Sequence, residues 1–294
     1  MKPAPFEYHR AHDLADALRL LDAGSDEVEH KVIAGGQTLV PLMAMRLTRP
    51  ALLIDLNRVT ELDGIEKTGD ALRIGAMTRQ RSVEASDLVQ SDLPLMTKAL
   101  AHVGHVQTRN RGTVGGSLVH GDASAEIPLV AVVLGARLNI VSHEGARVIE
   151  AGDFYEGPMM TAIAENEILT SVDFPLGAGR VGTSFQEVAP RHGDFALVSA
   201  AVQVMLDDNG NCSAARIGVG GCGLTPLRLA ASEAALVAGD VDDAIAGNID
   251  AAVAAVDAAI DPEDTPQAST AYRRRIAPEL VRRALEEAIA EATT

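Results

Sequence analysis

Tryptophan is absent from the 294 residues, and the other aromatics come to three Tyr and five Phe. With 47% of the residues apolar, a core must therefore be built from Ala, Val, Leu and Ile. Cysteine is nearly absent too. Cys212 and Cys222 could pair, although two thiols in a chain this long are more often buried and free. They exclude an iron–sulfur cluster carried by this chain alone, which needs a larger set of thiolates. Positive charge is scarce: 25 Lys and Arg stand against 41 Asp and Glu, for a net charge of −16. That balance excludes a nucleic-acid partner, which needs a basic face. No apolar run approaches a membrane span, and no basic-plus-apolar segment opens the chain. The expected location is the cytoplasm. The length is enough for two modest cores.

Apolar spacing organises the rest. Leu14, Ala17, Leu18 and Leu21 follow helical periodicity behind Asp13, a candidate cap, and Gly24 ends that helix. Val32–Ala34 reads as a strand, the run from Leu39 to Leu47 as a short helix and Ala51–Asp55 as a buried strand. Ile65–Lys67 and Leu72–Ile74 fit a hairpin, followed by helices over Ser82–Leu88 and Pro94–Val103. The run Pro128–Ala136 (PLVAVVLGA) reads as a helix that stops at Gly135, with two strands and a closing strand near Pro175 behind it. GAGRVG, around 177–183, is a linker candidate. Three antiparallel strands then follow, in SFQEVA, FALVSAAVQVMLD and CSAARIGVGGCG. The end is helical: LRLAASEAALVAG, IDAAVAAVDAAI and IAPELVRRALEEAIAEA, with a polar loop at 261–270. Strands followed by helices give an α+β class.

Two glycine-bearing stretches carry the chemistry. In residues 32–46, VIAGGQTLVPLMAMR, a strand opens into Gly35 and Gly36, then Gln37 and Thr38. Residues 108–126, TRNRGTVGGSLVHGDASAE, place glycines at 112, 115 and 116 among Thr113 and Ser117, and end in Asp122 and Glu126. Glycine leaves backbone N–H groups uncovered and permits positive φ, so both read as turns that could wrap an anion. The acids suit sugar hydroxyls, and Asp122 is equally a turn acid. Neither stretch is a Rossmann fingerprint or a P-loop. Taken singly, each is an ordinary turn. Arg109 and Arg111 could offset a diphosphate or pair with surface carboxylates. His102 and His105 mimic a metal pair by spacing, but no third ligand accompanies them.

Together the two stretches are specific. AGGQTLVPLMAMRL and RNRGTVGGSLVHGDASAEIPLVAVVLGA resemble the paired flavin-binding motifs of the molybdenum hydroxylase family. More narrowly, they are similar to the FAD-binding medium subunits of the carbon monoxide dehydrogenase and quinoline 2-oxidoreductase type. FQEVAPRHGDFALVSAAV at 185–202 and AYRRRIAPELVRRAL at 271–285 extend the likeness to essentially the whole chain. The resemblance implies a two-part FAD-binding domain of the vanillyl-alcohol-oxidase-like (PCMH) type over 1–178, divided at about residue 55. A smaller α+β domain with a three-stranded antiparallel sheet and helices then covers 179–294.

It also implies the site residues. Ile33, Ala34, Gly35, Gly36, Gln37 and Thr38 form one half of a diphosphate clamp, and Thr113, Gly115, Gly116 and Ser117 the other. Asp122 and Glu126 lie at the ribose or ribityl hydroxyls, Phe195 lies near the flavin ring, and Leu169 is a further cofactor-binding residue. Ala123 and Ser124 stand where the family text usually has Pro and Ala. Arg191 and Asp194 read by default as a structural ion pair, and nothing is carried over to Pro190.

The implied function is electron transfer. A large subunit holds the molybdenum cofactor, a small one holds [2Fe-2S] clusters, and FAD on this chain passes electrons to an external acceptor. The implied assembly is an (LMS)2 heterohexamer, and the GDFALV text leans toward N-heterocyclic or similar small substrates over carbon monoxide. Two other readings stand beside this one. A stand-alone FAD oxidoreductase would carry a base or a covalent flavin anchor, and no residue stands out as either. A non-enzymatic nucleotide-binding module would need only the glycine stretches.

Overall fold

The computed structural model describes residues 2–25, 27–237 and 244–294. Its N-terminal sheet is parallel, in the order β1-β3-β2, from β1 (Glu7–Arg10), β2 (His30–Ile33) and β3 (Leu52–Asp55). Strand β1 is absent from the sequence expectation because EYHR is polar and lies almost entirely exposed at a sheet edge. Helix α1 (Leu14–Asp22) starts where Asp13 accepts the Asp16 N–H at 2.8 Å, and it buries Ala17, Leu18 and Leu21. Helix α2 (Leu39–Ala44) links β2 to β3.

A second sheet is antiparallel, with the order β4-β5-β10-β6-β7. The expected hairpin gives β4 (Ile65–Thr68) and β5 (Ala71–Gly75). The helix expected over 82–88 is two, α3 (Gln80–Glu84) and α4 (Asp87–Asp92), because Ser86 caps the second. Next come α5 (Pro94–Leu100), α6 (Val106–Arg111), α7 (Val114–His120) and α8 (Glu126–Leu134). Strands β6 (Arg137–Val141) and β7 (Ala146–Glu150), helix α9 (Ala151–Phe154), and strands β8 (Tyr155–Gly157), β9 (Met160–Thr161) and β10 (Ile168–Pro175) complete this part.

The third sheet corrects two expectations. The glycine-rich text at 177–183 is no linker from residue 180 onward, because β11 runs over Arg180–Val188. Gly182 is there for close packing: a Cβ would lie 1.8 Å from the Ala288 carbonyl oxygen of the helix above it. Beyond β12 (Val198–Leu206) and β13 (Cys212–Gly220), a fourth strand, β14 (Leu227–Arg228), takes the residues expected to open a helix. That helix, α10 (Ala230–Val237), starts three residues later, and the end of its expected span lies outside the described residues. Helices α11 (Ala244–Ala254), α12 (Val256–Ala259) and α13 (Thr270–Thr293) follow. Helix α13 begins before Ile276 because Ser269 caps it, accepting the Tyr272 N–H.

Helix α8 joins the two larger sheets. Ile127–Leu134 are all buried, since the helix touches β10 on one side and β12 and β13 on the other. A helix apolar all round is stable only when covered all round. Phe185 and Ala201 of the third sheet accordingly share one core with α5, α7 and α8.

Candidate functional site

Strands β2 and β3 are parallel neighbours, with Ile33 opposite Asp55, so the segments that follow them leave from one sheet edge. Crevices at the carboxyl ends of parallel strands are where ligands bind in such sheets. Gly35 is buried in this one. A Cβ there would stand 2.3 Å from the Arg111 carbonyl oxygen and 2.9 Å from the Gly112 Cα, so the two glycine stretches cross in backbone contact. Gly36 takes φ 71°, which glycine adopts readily. The N–H groups of Gly35, Gly36, Gln37 and Thr38 have no protein acceptor among the described residues. Four consecutive unspent amides at a crossing fit a diphosphate, whose oxygens accept only. Ile33 and Ala34 contribute carbonyls to the protein instead. Leu56 N–H donates to Ile33 O at 3.2 Å, and Asn57 Nδ2 donates to Ala34 O at 3.0 Å.

The second stretch differs from its expected form. It is helical, and none of Gly112, Gly115 and Gly116 has positive φ. Its amides from Val114 to Ser117 are already used. Val114 donates to Thr78 O (3.1 Å), Gly115 to Ala76 O (2.9 Å), Gly116 to the Thr113 hydroxyl (3.1 Å) and Ser117 to Thr113 O (3.3 Å). Gly115 is needed because a Cβ would meet Ala76 Cβ at 2.6 Å. Gly116 is exposed, and a Cβ on it would stand 3.8 Å from Ala34 Cβ, beside the first stretch. This half of the crossing therefore offers a smooth wall with the Ser117 hydroxyl beside it.

The other expected residues lie farther out. Asp122 accepts the Ser124 N–H at 2.8 Å, the turn-acid arrangement. Glu126 opens α8 in the seam between the sheets, where burial, with Asp122 nearby, pushes its carboxyl up to about 7. The carboxyl of Glu187 in β11 is likewise pushed up, to about 8, by burial and by the Glu126 charge in its vicinity. The side chain of Leu169 belongs to the core. Phe195 is 64% exposed on the β11–β12 connection, whose Gly193 rests on His105. Arg191 and Asp194 form the expected ion pair at 3.0 Å. His102 packs on Phe185, and His105 on His192.

Charged and polar neighbours missed in the sequence hold the crossing. Arg79 donates to the Arg111 carbonyl and to the Asn57 side chain, which in turn grips Ala34 O. Asn57 and Tyr8 also donate to Asp55. Burial pushes that carboxyl up, but these hydrogen bonds and nearby Arg10 outweigh it and hold the acid below its usual range. The signal for Asn57 was its place two residues past the end of β3, at the edge that β2 shares. Arg109 is committed elsewhere: it forks onto Glu84 at 3.0 and 3.1 Å and donates to Val103 O and Gly104 O.

Comparison with known proteins agrees with this architecture. The FAD binding domain in molybdopterin dehydrogenase matches residues 4–177, and the CO dehydrogenase flavoprotein C-terminal domain matches 183–288. The 6-hydroxypseudooxynicotine dehydrogenase complex subunit alpha of Paenarthrobacter nicotinovorans is 39% identical over 290 residues, covering 98% of this chain and 96% of that one. Two solved structures align along nearly full length. Carbon monoxide dehydrogenase from Hydrogenophaga pseudoflava has a TM-score of 0.93 at 33% identity, covering 99% of each chain. Quinoline 2-oxidoreductase from Pseudomonas putida 86 has 0.92 at 34% identity, covering 100% of each. With a crossing that fits a diphosphate and family matches over both parts of the chain, this protein belongs to the FAD-binding medium subunits of the molybdenum hydroxylase family.

Proposed function

We propose that this chain is the FAD-carrying, electron-transferring subunit of a three-subunit molybdenum hydroxylase. The observation that carries the reading is the seating of Gly35 on the Arg111–Gly112 backbone, which presents a row of free amides at the crossing. The amides of Gly35–Thr38 hold the diphosphate, with Ile33 and Ala34 setting the approach. Thr113 fixes the helix start that forms the opposite wall, Gly115 and Gly116 keep that wall low, and Ser117 offers its hydroxyl. Asp122 and Glu126 lie on the ribose side. Phe195 reaches the ring from the exposed connection, and Leu169, its side chain buried, contributes only backbone. When bound, FAD supplies exchange between one-electron carriers and a two-electron acceptor. The chain orients the group and limits what reaches it.

The FAD-binding part spans 1–178 and the C-terminal part 179–294. The partners are a large subunit with the molybdenum cofactor and a small one with [2Fe-2S] clusters, in an (LMS)2 heterohexamer in the cytoplasm. No helix among the described residues is long and apolar enough to cross a membrane. Relatives named for 6-hydroxypseudooxynicotine, caffeine and nicotine support an N-heterocyclic or similar small substrate for the complex.

The test is the visible spectrum of the protein purified from its host by a tag on this chain. Flavin bands over an iron–sulfur background, with two further subunits on the gel, are expected. A folded but colourless chain overturns the proposal, and a flavin spectrum from a single chain would make it a stand-alone oxidoreductase.

A further inference from the structure

About half of the arginines pair with a carboxylate among the described residues. Arg79 and Arg111 do not, and what sets them apart from the other unpaired arginines is their place side by side at the crossing. Among the described residues neither has an ion-pair partner, and the exposed Arg111 side chain makes no hydrogen bond. They lie beside one another at the crossing. Arg79 donates to the Arg111 carbonyl, the same oxygen on which Gly35 is seated, and through Asn57 it reaches Ala34 O. The Arg79 guanidinium is pushed below its usual range by burial and then by the Arg111 charge next to it. Asp63 and Asp55 offset this only in part. Asp55 is occupied by Tyr8, Asn57 and, at 3.5 Å, Arg10, while Asp63 acts on Arg79 only at a distance. Holding two like charges together without a counter-ion costs free energy, which an anion placed between them would recover. Arg79 uses two of its five N–H donors, so the remainder are available.

We propose that Arg79 and Arg111 form the cationic half of the dinucleotide site, Arg79 locking the two glycine stretches together and both guanidiniums facing the diphosphate that the amides of Gly35–Thr38 receive. This rests on the FAD reading above and adds to it the residues that distinguish a diphosphate-bearing flavin from a bare one. Arg109, equally near in sequence, takes no part because Glu84 already neutralises it.

The test titrates the full-length chain, freed of flavin, with FAD and with riboflavin at several salt concentrations, and competes FAD with ADP. The variants are Arg111→Gln, Arg79→Gln and Arg79→Lys, and Arg283→Gln is the control, removing an equal charge from a pair with Glu279. Arg111→Gln and Arg79→Gln are expected to weaken FAD binding by about tenfold or more and to flatten its salt dependence. Riboflavin binding stays as in wild type, and ADP competes less well. Arg79→Lys keeps the salt dependence while losing part of the affinity, because a point charge replaces the fork. Wild-type affinity and salt dependence in Arg111→Gln, measured where the wild type binds FAD tightly, overturn the proposal. That variant removes no hydrogen bond, so it decides the matter even if Arg79→Gln fails to fold. Failure of the wild-type chain to bind FAD at all overturns the FAD reading itself, and this proposal with it.

Discussion

Glu187→Gln should stabilise the protein in alkaline solution. The Glu187 side chain is 3% exposed, its Oε2 is buried without a hydrogen-bond partner among the described residues, and the charge of a second buried acid, Glu126, acts on it. His102 Nδ1 is 3.8 Å from Oε1, close enough to suggest an ion pair. The surroundings argue otherwise. Burial, then His192, pushes the imidazole down while burial pushes the carboxyl up, so both favour their neutral forms. A carboxyl raised from an ordinary 4.5 to about 8 keeps a proton in the folded protein that the unfolded chain has released. Stability therefore falls as pH rises from about 4.5 and is fully lost from this group above about 8. At about 1.4 kcal/mol per pH unit the loss approaches roughly 5 kcal/mol, with about 2–5 kcal/mol expected after water penetration. Glutamine has the same shape and no charge to bury. Urea unfolding of the full chain at pH 5, 7 and 9 is the assay. The variant should exceed wild type by less than about 1 kcal/mol at pH 5 and by that full amount at pH 9. Agreement within about 0.5 kcal/mol at all three values would refute the buried, proton-holding pair.

Gly116→Val should abolish flavin retention while leaving the circular dichroism spectrum unchanged. Its Cβ would meet the Thr113 hydroxyl at 2.8 Å, so loss of that cap costs about 1 kcal/mol, and full flavin occupancy would remove this helix start from the site. Gly35→Ala drives a Cβ into the Arg111 carbonyl and must part the two stretches. A loss of about 2–4 kcal/mol by urea unfolding, together with loss of flavin, is expected. Gly182→Ala puts a methyl where α13 rests and should lower stability by about 3 kcal/mol or more in the same assay. The flavin-to-protein ratio of the fraction that does fold should match wild type.

The glycine stretches were legible because close backbone approach leaves a mark in the text: only glycine fits at positions 35 and 115. Helix α1 was legible because capping and periodicity are local. What could not be read was pairing across distance. Arg79 lies 22 residues from Asn57 and 32 from Arg111, and nothing local to MTRQR marks it as the tie between them. Strand β1 escaped because an exposed edge strand needs no apolar alternation. The same ambiguity ran the other way at Gly182, where glycine looks like slack but marks a helix–strand contact with no room for a Cβ. The fate of amides is equally invisible in sequence. Those after Gly35 are unspent, whereas those of Val114 and Gly115 are spent because only the fold brings Thr78 and Ala76 against the second stretch.

Helix α8 is made well before most of what covers it. Its last residue is Leu134, whereas β12 and β13, which lie on its far side, end at Leu206 and Gly220. During synthesis the ribosome must add that intervening stretch while one face of an apolar helix stands bare. At roughly 5–20 residues per second the exposure lasts several seconds, long enough for wrong partners to compete. Expression level and the supply of holdase chaperones should thus govern the yield of intact chain more strongly than its final stability does.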